Sequence, residues 1–210
     1  MNDSTRNHRS YPHQYHRRDQ QDPARRIKGQ SKRLSWLLRH GAGGEGLAMD
    51  SAGWVRIQDL LAKLRLSQAE LEMIVRENNK SRFEVSGDLV RAAQGHSLEV
   101  MPVTQDALEA SWSVYQHTHG SIWHATQQRH VDSILAQGIM RGDRTHVHLA
   151  SSIDSHVGKR TNAPILVEVS VAQLRASGEE VFESPNGVVL TRYVPSSSIL
   201  KVRRFTSRRR

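Results

Sequence analysis

The chain has 210 residues, room for one large or two small domains that can each bury a core. With no cysteine it can hold no disulfide framework, thiol nucleophile or thiolate metal site, and no apolar run suits a membrane span or a signal-peptide core, so a cytoplasmic protein is expected. Residues 1–27 carry six Lys/Arg against three Asp/Glu and residues 201–210 carry six against none, which accounts for the net charge of +9 and leaves 28–200 neutral. Basic ends strengthen any polyanion contact without choosing a sequence, so specific phosphate or RNA binding has to come from single residues of the neutral body.

Residues 1–27 are polar and almost without aliphatic side chains, and read as a disordered basic leader. Ser31 to Gly41 predicts a short amphipathic helix, with Leu34, Leu37 and Leu38 at i, i+3, i+4, Ser31 as N-cap and Gly41 as the residue just past its end. The last turn carries Arg39 and His40, where the negative pole of a helix accommodates cations even without a ligand. Gly41 to Gly46 is a flexible loop, not a nucleotide-binding glycine fingerprint, because no strand precedes it. Ile57, Leu60, Leu61 and Leu64 mark a second helix, and the capping box Ser67-Gln-Ala-Glu70 starts a third that ends at Asn78-Asn79. Arg82–Val85 and Leu89–Ala92 flank Ser86-Gly87-Asp88 as a hairpin, and three helices followed by a hairpin is the order of a winged-helix domain, residues 28–98. Residues 99–113, with Pro102 and no sustained period, read as a linker. Beyond it, Ser121–Ala125, His146–Ala150, Pro164–Val171, Val188–Thr191 and Ile199–Val202 predict strands, with Val131, Ile134 and Leu135 on a helix that Gly138 closes. The fold class expected is α+β in two lobes, the second covering 114–203 and followed by a basic tail at 204–210.

Three stretches place Arg beside His: Arg39-His40, Arg91 with His96, and Arg144 with His146 and His148. Arg suits a phosphate because its planar guanidinium donates two parallel hydrogen bonds and never loses its charge, and His adds a group that moves a proton near neutral pH. For each Arg taken alone, a solvated surface role is the better reading. The pair His146-Val-His148 has a spacing that some zinc sites use, but no third ligand follows at a convincing spacing and ordinary strand histidines are favoured, so no metal is expected. No Gly-x-Ser-x-Gly elbow occurs, which disfavours a serine hydrolase.

The ordered motifs Ser31-Lys-x-Leu-Ser-x-x-Leu-Arg-His40, Gly53-Trp54, Asn78-Asn79-Lys-x-Arg-Phe83, Arg91-Ala-x-Gln-Gly-His-Ser97, His146-Val-His-Leu149, Val157-Gly-Lys-Arg160 and Asn186-Gly-Val-x-Leu-Thr191 resemble the RNA (tRNA) 2′-phosphotransferases from about residue 31 to about 200. The resemblance implies an N-terminal winged-helix lobe that binds RNA and a C-terminal lobe with the NAD-binding fold of ADP-ribosyltransferases. It also implies an activity in two steps. An internal 2′-phosphate, such as a tRNA splice junction carries, first displaces nicotinamide from NAD. The ribose O2″ then attacks the phosphorus and releases 2′-OH RNA and ADP-ribose 1″,2″-cyclic phosphate. The family's Arg-His-Arg-Arg tetrad falls on Arg39, His40, Arg91 and Arg144. Its NAD pocket falls on His124, Ala125, Thr126, His148, Leu149, Ser151, Gly158, Arg160, Asn186 and Gly187, and its RNA contacts on Lys32, Gln94, His96 and Ser97. Trp123, Ala125 and Ala150 depart from the family pattern. Where protein-modifying ADP-ribosyltransferases carry a glutamate this chain has Val188 or Val189, which argues against that activity. The resemblance implies a cytoplasmic enzyme, expected to act as a monomer. Two other readings remain: an ADP-ribosyltransferase that caps a nucleic-acid terminal phosphate, and a non-catalytic winged-helix RNA-binding protein.

Overall fold

The computed structural model describes residues 23–159 and 163–204. Helix α1 spans Pro23–Trp36 and continues into a π-helical turn, Leu37–Gly41. The helix therefore starts well before Ser31, inside the segment expected as leader, and Ser31 lies in its body instead of capping it. Proline at the first helical position explains that start, since its missing N–H would be unsatisfied there in any case. Gly41 does not end the helix in a left-handed conformation as expected. It belongs to the π turn, and a Cβ there would lie 2.6 Å from the Trp36 ring, so glycine is what lets the indole pack across the turn. Leu34, Leu37 and Leu38 are buried as their spacing predicts.

Helices α2 (Ile57–Leu64) and α3 (Gln68–Arg76) follow, the latter opened by the expected reciprocal capping box of Ser67 and Glu70. Strand β1 (Val55–Arg56) and the hairpin β2 (Phe83–Ser86) and β3 (Leu89–Ala92) form a three-stranded antiparallel sheet ordered β1-β3-β2. The stretch read as a linker is folded: Thr104 caps helix α4 (Gln105–Ala110), and Met101, Val103, Leu108 and Trp112 are all buried.

The remaining strands are β4 (Ser113–Val114), β5 (Ser121–Thr126), β6 (Ile139–Met140), β7 (Val147–Ala150), β8 (Ile165–Ser170), β9 (Phe182–Glu183), β10 (Val188–Thr191), β11 (Tyr193–Val194) and β12 (Ile199–Arg204). Seven of them make one sheet ordered β12-β8-β5-β7-β10-β9-β4, with every pair antiparallel, and β11 pairs with β6. Helices α5 (Val131–Gln137) and α6 (Val171–Ala176) lie between these strands. Gly138 closes α5 as expected, but Leu135 is exposed and only Val131 and Ile134 of that helix are buried.

Strand β10 shows why its sequence is apolar throughout. Val188 and Leu190 pack with the core of α1–α3 and the small sheet, and Val189 packs on the opposite side with Ile122, Leu149, Val167 and Val169. A strand covered on both faces loses the alternation of a half-exposed one. The same arrangement makes one continuous core of the first helices, α4 and the edge of the large sheet. Among the described residues no helix is long and apolar enough to cross a membrane.

Candidate active site

Arg39 and His40 sit on the π turn that closes α1, a distortion of helical geometry that often accompanies functional residues. The segment 94–98 runs against this turn. The Ser97 backbone N–H donates to the Arg39 carbonyl at 2.9 Å, Ser97 forms an antiparallel bridge with Arg144, and the Ser97 hydroxyl lies 2.7 Å from His40 Nδ1. On either side of it, Thr145 donates its N–H to the His96 carbonyl at 3.0 Å and Leu98 donates to the Asp143 carbonyl at 3.1 Å. One short segment therefore stitches the end of the first helix to the loop before β7 and brings Arg39, His40 and Arg144 together.

Arg39 and Arg144 border a cleft of about 520 Å³ between the first helices, the β2–β3 hairpin and the large sheet, while His40 and Ser97 are not part of its lining. Its lining includes the cations Arg39, Lys80, Arg82, Arg141 and Arg144 together with Gln94, His124, Ala125, Thr126, His148, Gly158 and Asn186. The Arg39 guanidinium holds Nε and Nη2 out of solvent with no hydrogen-bond partner. Burial, followed by the repulsion of Arg144 and Arg82, pulls its pKa down to about 10. A withdrawn guanidinium with unmet donors, beside two like charges, is costly unless an anion with several oxygens completes it.

His40 is held below its ordinary pKa, first by burial and then by Arg39 and Arg144, so its ring is neutral near pH 7. In the tautomer whose Nδ1–H donates to Ser97 Oγ, Nε2 is the atom able to accept a proton. His148 is pushed further down, by burial first and then by Arg144 and Arg39. Its Nδ1 lies 3.0 Å from the His146 carbonyl and must donate to it, and its Nε2 lies 2.9 Å from Gln94 Oε1, a contact that the neutral ring satisfies when the Gln94 amide is turned to present its NH2. His124 is similarly anchored, its Nδ1 donating to the His148 carbonyl at 3.1 Å.

Helix α4 supports this end of β7. Buried Glu109 accepts Nε and Nη2 of Arg192 at 2.7 and 2.6 Å and lies 2.8 Å from His146 Nε2, and Gln105 donates to the Thr145 carbonyl at 2.7 Å. Trp112 meets the His146 ring edge-on, with centroids 4.9 Å apart.

Arg91 is not in the cleft. It is 2% exposed, donates through Nε to Glu84 at 2.7 Å and through Nη1 to Ser111 Oγ at 2.7 Å and the Ala52 carbonyl at 3.2 Å, and stacks 4.5 Å above the Trp54 ring. It is a core ion pair, and the guanidinium that joins Arg144 beside Arg39 is that of Arg82, which the spacing of Arg with His does not reveal. Of the other expected site residues, Leu149 points into the core behind the sheet and Ser151 is exposed outside the cleft. Gly187 lines a separate hollow beside Ser111 and Glu183. Lys32 is exposed on α1 away from the cleft, His96 is fully buried, and Arg160 lies outside the described residues. Among the described residues, no three His, Asp or Glu side chains gather closely enough to hold a metal ion.

The family model "RNA 2'-phosphotransferase, Tpt1 / KptA family" matches residues 24–193. The chain belongs to this family. It is 38% identical over 175 residues to a probable RNA 2′-phosphotransferase of Burkholderia lata, covering 79% of this chain and 86% of that protein. It is 35% identical over 182 residues to a protein of the same description from Pseudomonas syringae (82% and 92% covered), and 31% identical over 189 residues to one from Acaryochloris marina (84% and 97% covered). Membership of the 2′-phosphotransferase family makes the chain a transferase, and the anion-seeking group of Arg39, Arg82 and Arg144 lies wholly inside the matched region.

Proposed function

We propose that the chain removes an internal 2′-phosphate from RNA by transferring it to NAD. The observation that carries this reading is the Arg39 guanidinium, whose Nε and Nη2 lack a partner, withdrawn from water beside Arg82 and Arg144 on the wall of a cleft of about 520 Å³. In this reading Arg39, Arg82 and Arg144 bind the phosphoryl oxygens and offset their charge as it redistributes, and His40 accepts or returns a proton at Nε2. Arg82 takes the place that the sequence assigned to Arg91.

Other residues of the lining suit NAD. The end of β5 (His124, Ala125, Thr126) and neutral His148 border the cleft, and Lys159 and Arg141 line it with cations suited to a pyrophosphate. When bound, NAD supplies an electrophilic ribose carbon and a leaving nicotinamide. The Ala125 side chain, 5% exposed, replaces the glycine usual in the family and narrows the approach to that strand. We read α1–α3 with the β1-β3-β2 sheet as the winged-helix RNA-binding lobe and the seven-stranded sheet as the ADP-ribosyltransferase-like lobe.

The test is incubation with NAD and an oligonucleotide bearing one internal 2′-phosphate. The expected outcome is equimolar release of nicotinamide and 2′-OH RNA. Nicotinamide release with RNA that keeps its phosphorus would point to terminal capping instead, and no nicotinamide release from any 2′-phosphorylated RNA would refute the reading.

A further inference from the structure

We infer that Asn78 and Asn186 are positioning residues that aim the Arg82 guanidinium into the cleft, an inference that rests on the phosphate-binding reading above. The turn that delivers Arg82 is irregular. Ser81 has φ +42°, a conformation that L residues with a side chain rarely adopt, and its N–H donates to the Asn78 carbonyl at 2.9 Å. Asn78, 9% exposed, holds the turn from inside. Its Oδ1 accepts the Lys80 N–H at 3.2 Å, the Arg82 N–H at 3.3 Å and Arg82 Nη1 at 3.1 Å. Fixing one Nη sets the direction of the whole planar fork and leaves Nε and Nη2 for an anion.

Asn186, in the turn between β9 and β10, holds the same turn from the large sheet. Its Nδ2 donates to the Lys80 carbonyl at 3.0 Å and its Oδ1 accepts the hydroxyl of buried Ser184 at 2.9 Å. Both ends of this side chain are committed to the protein. Asn186 therefore fixes the phosphate-facing turn, where the sequence pattern assigned it to the cofactor.

The geometry demands opposite chemistry at the two positions. Asn78 works as an acceptor only, so Asn78→Asp should preserve its role and Asn78→Ala should not. Asn186 works as a donor to a carbonyl, so Asn186→Asp should fail as Asn186→Ala does.

The test measures Kd for a 2′-phosphorylated oligonucleotide by fluorescence anisotropy and Kd for NAD by calorimetry, with thermal midpoints as a folding control. The variants are N78A, N78D, N186A, N186D, R82A and the double variant N186A/R82A. N186A and N78A should each weaken RNA binding about tenfold, as a misaimed contact does, while N186A leaves NAD binding within about twofold. N186A should add nothing in the R82A background, because its effect acts through Arg82. Loss of NAD binding in N186A with RNA binding intact, losses that multiply in the double variant, or N78D as damaging as N78A would each overturn the inference. Turnover by the wild type, measured separately, reports on the proposed reaction, so its failure would leave the binding cycle interpretable.

Discussion

Replacing Arg82 and Arg91 separately by alanine distinguishes a cleft arginine from a core arginine. Arg91 is 2% exposed and makes three side-chain hydrogen bonds, one of them to the Glu84 carboxylate, besides stacking on Trp54. Removing one member of a buried ion pair costs about 3–5 kcal/mol, and Glu84, one third exposed at 32%, recovers some solvation, so the lower end of that range applies. For a chain of this size the midpoint should fall by roughly 6–12 °C. The same substitution should barely change the rate constant of folded enzyme at 20 °C. Arg82→Ala has the opposite profile. It deletes one contact to a transferring phosphoryl group, worth about 3–4 kcal/mol and therefore about 10²–10³ in rate, and it also removes a like charge that depresses the Arg39 pKa. Its midpoint should shift by less than about 2 °C. Thermal unfolding by circular dichroism and single-turnover release of 2′-OH RNA from a 2′-phosphorylated oligonucleotide read the two effects. If Arg91→Ala abolished transfer at an unchanged midpoint while Arg82→Ala reacted normally, the cleft arginines described here would be the wrong set.

Substituting His40 by alanine should slow turnover about 10²–10⁴-fold while RNA affinity stays within a few-fold; equal loss of both would make it a docking residue. Ser97→Ala removes the 2.7 Å contact to His40 Nδ1 and should give a smaller fall in kcat, about tenfold, with the Kd for RNA unchanged. Gly158 has φ +74°, and a Cβ there would lie 2.2 Å from the Leu149 carbonyl oxygen, so Gly158→Ala should displace the 151–159 loop and raise the KM for NAD at least tenfold in steady-state assays. His96 is pushed down to about 3 by burial first, with Arg39, Arg91, His40 and His146 adding to it. Below pH 6.5 the unfolded chain binds a proton at this ring and the folded chain does not, so its contribution is intact above 6.5 and is lost as the pH falls toward 3. The slope is at most about 1.4 kcal/mol per pH unit. Midpoints recorded between pH 7 and 5 should fall, and less so in His96→Asn; parallel curves would show that His96 is not the titrating group.

How far the sequence revealed these features depended on whether a feature was local. The leucine repeat of α1, the Ser67–Glu70 capping box, the closure of α5 at Gly138 and the doubly covered strand β10 are encoded in a few neighbouring residues, and they are where periodicity and capping rules put them. Helix α4 escaped notice because it is six residues long and offers only Leu108 as a buried aliphatic anchor of any size, so nothing periodic marks it. Its role is entirely long-range, through Glu109 to His146 and Arg192. The π turn has no sequence signature either, since the same leucines would serve an ordinary helix.

The proposed exchange of Arg82 for Arg91 differs from these, because it turns on the register of one hairpin. The turn read as Ser86-Gly87-Asp88 is the two residues Gly87-Asp88 in the structure, which pairs Ser86 with Leu89, Val85 with Val90 and Glu84 with Arg91. Arg91 therefore faces a carboxylate across the ladder and has its charge met within the hairpin. Arg82 lies just before β2, with no acid opposite it, at the end of a turn that Asn78 pins. In a body of zero net charge, an arginine already neutralised by its strand partner is a poor anion ligand, and one whose register leaves it unmet is a good one. Counting charges along the observed ladder, before counting which residues neighbour one another in sequence, favours the proposed Arg82.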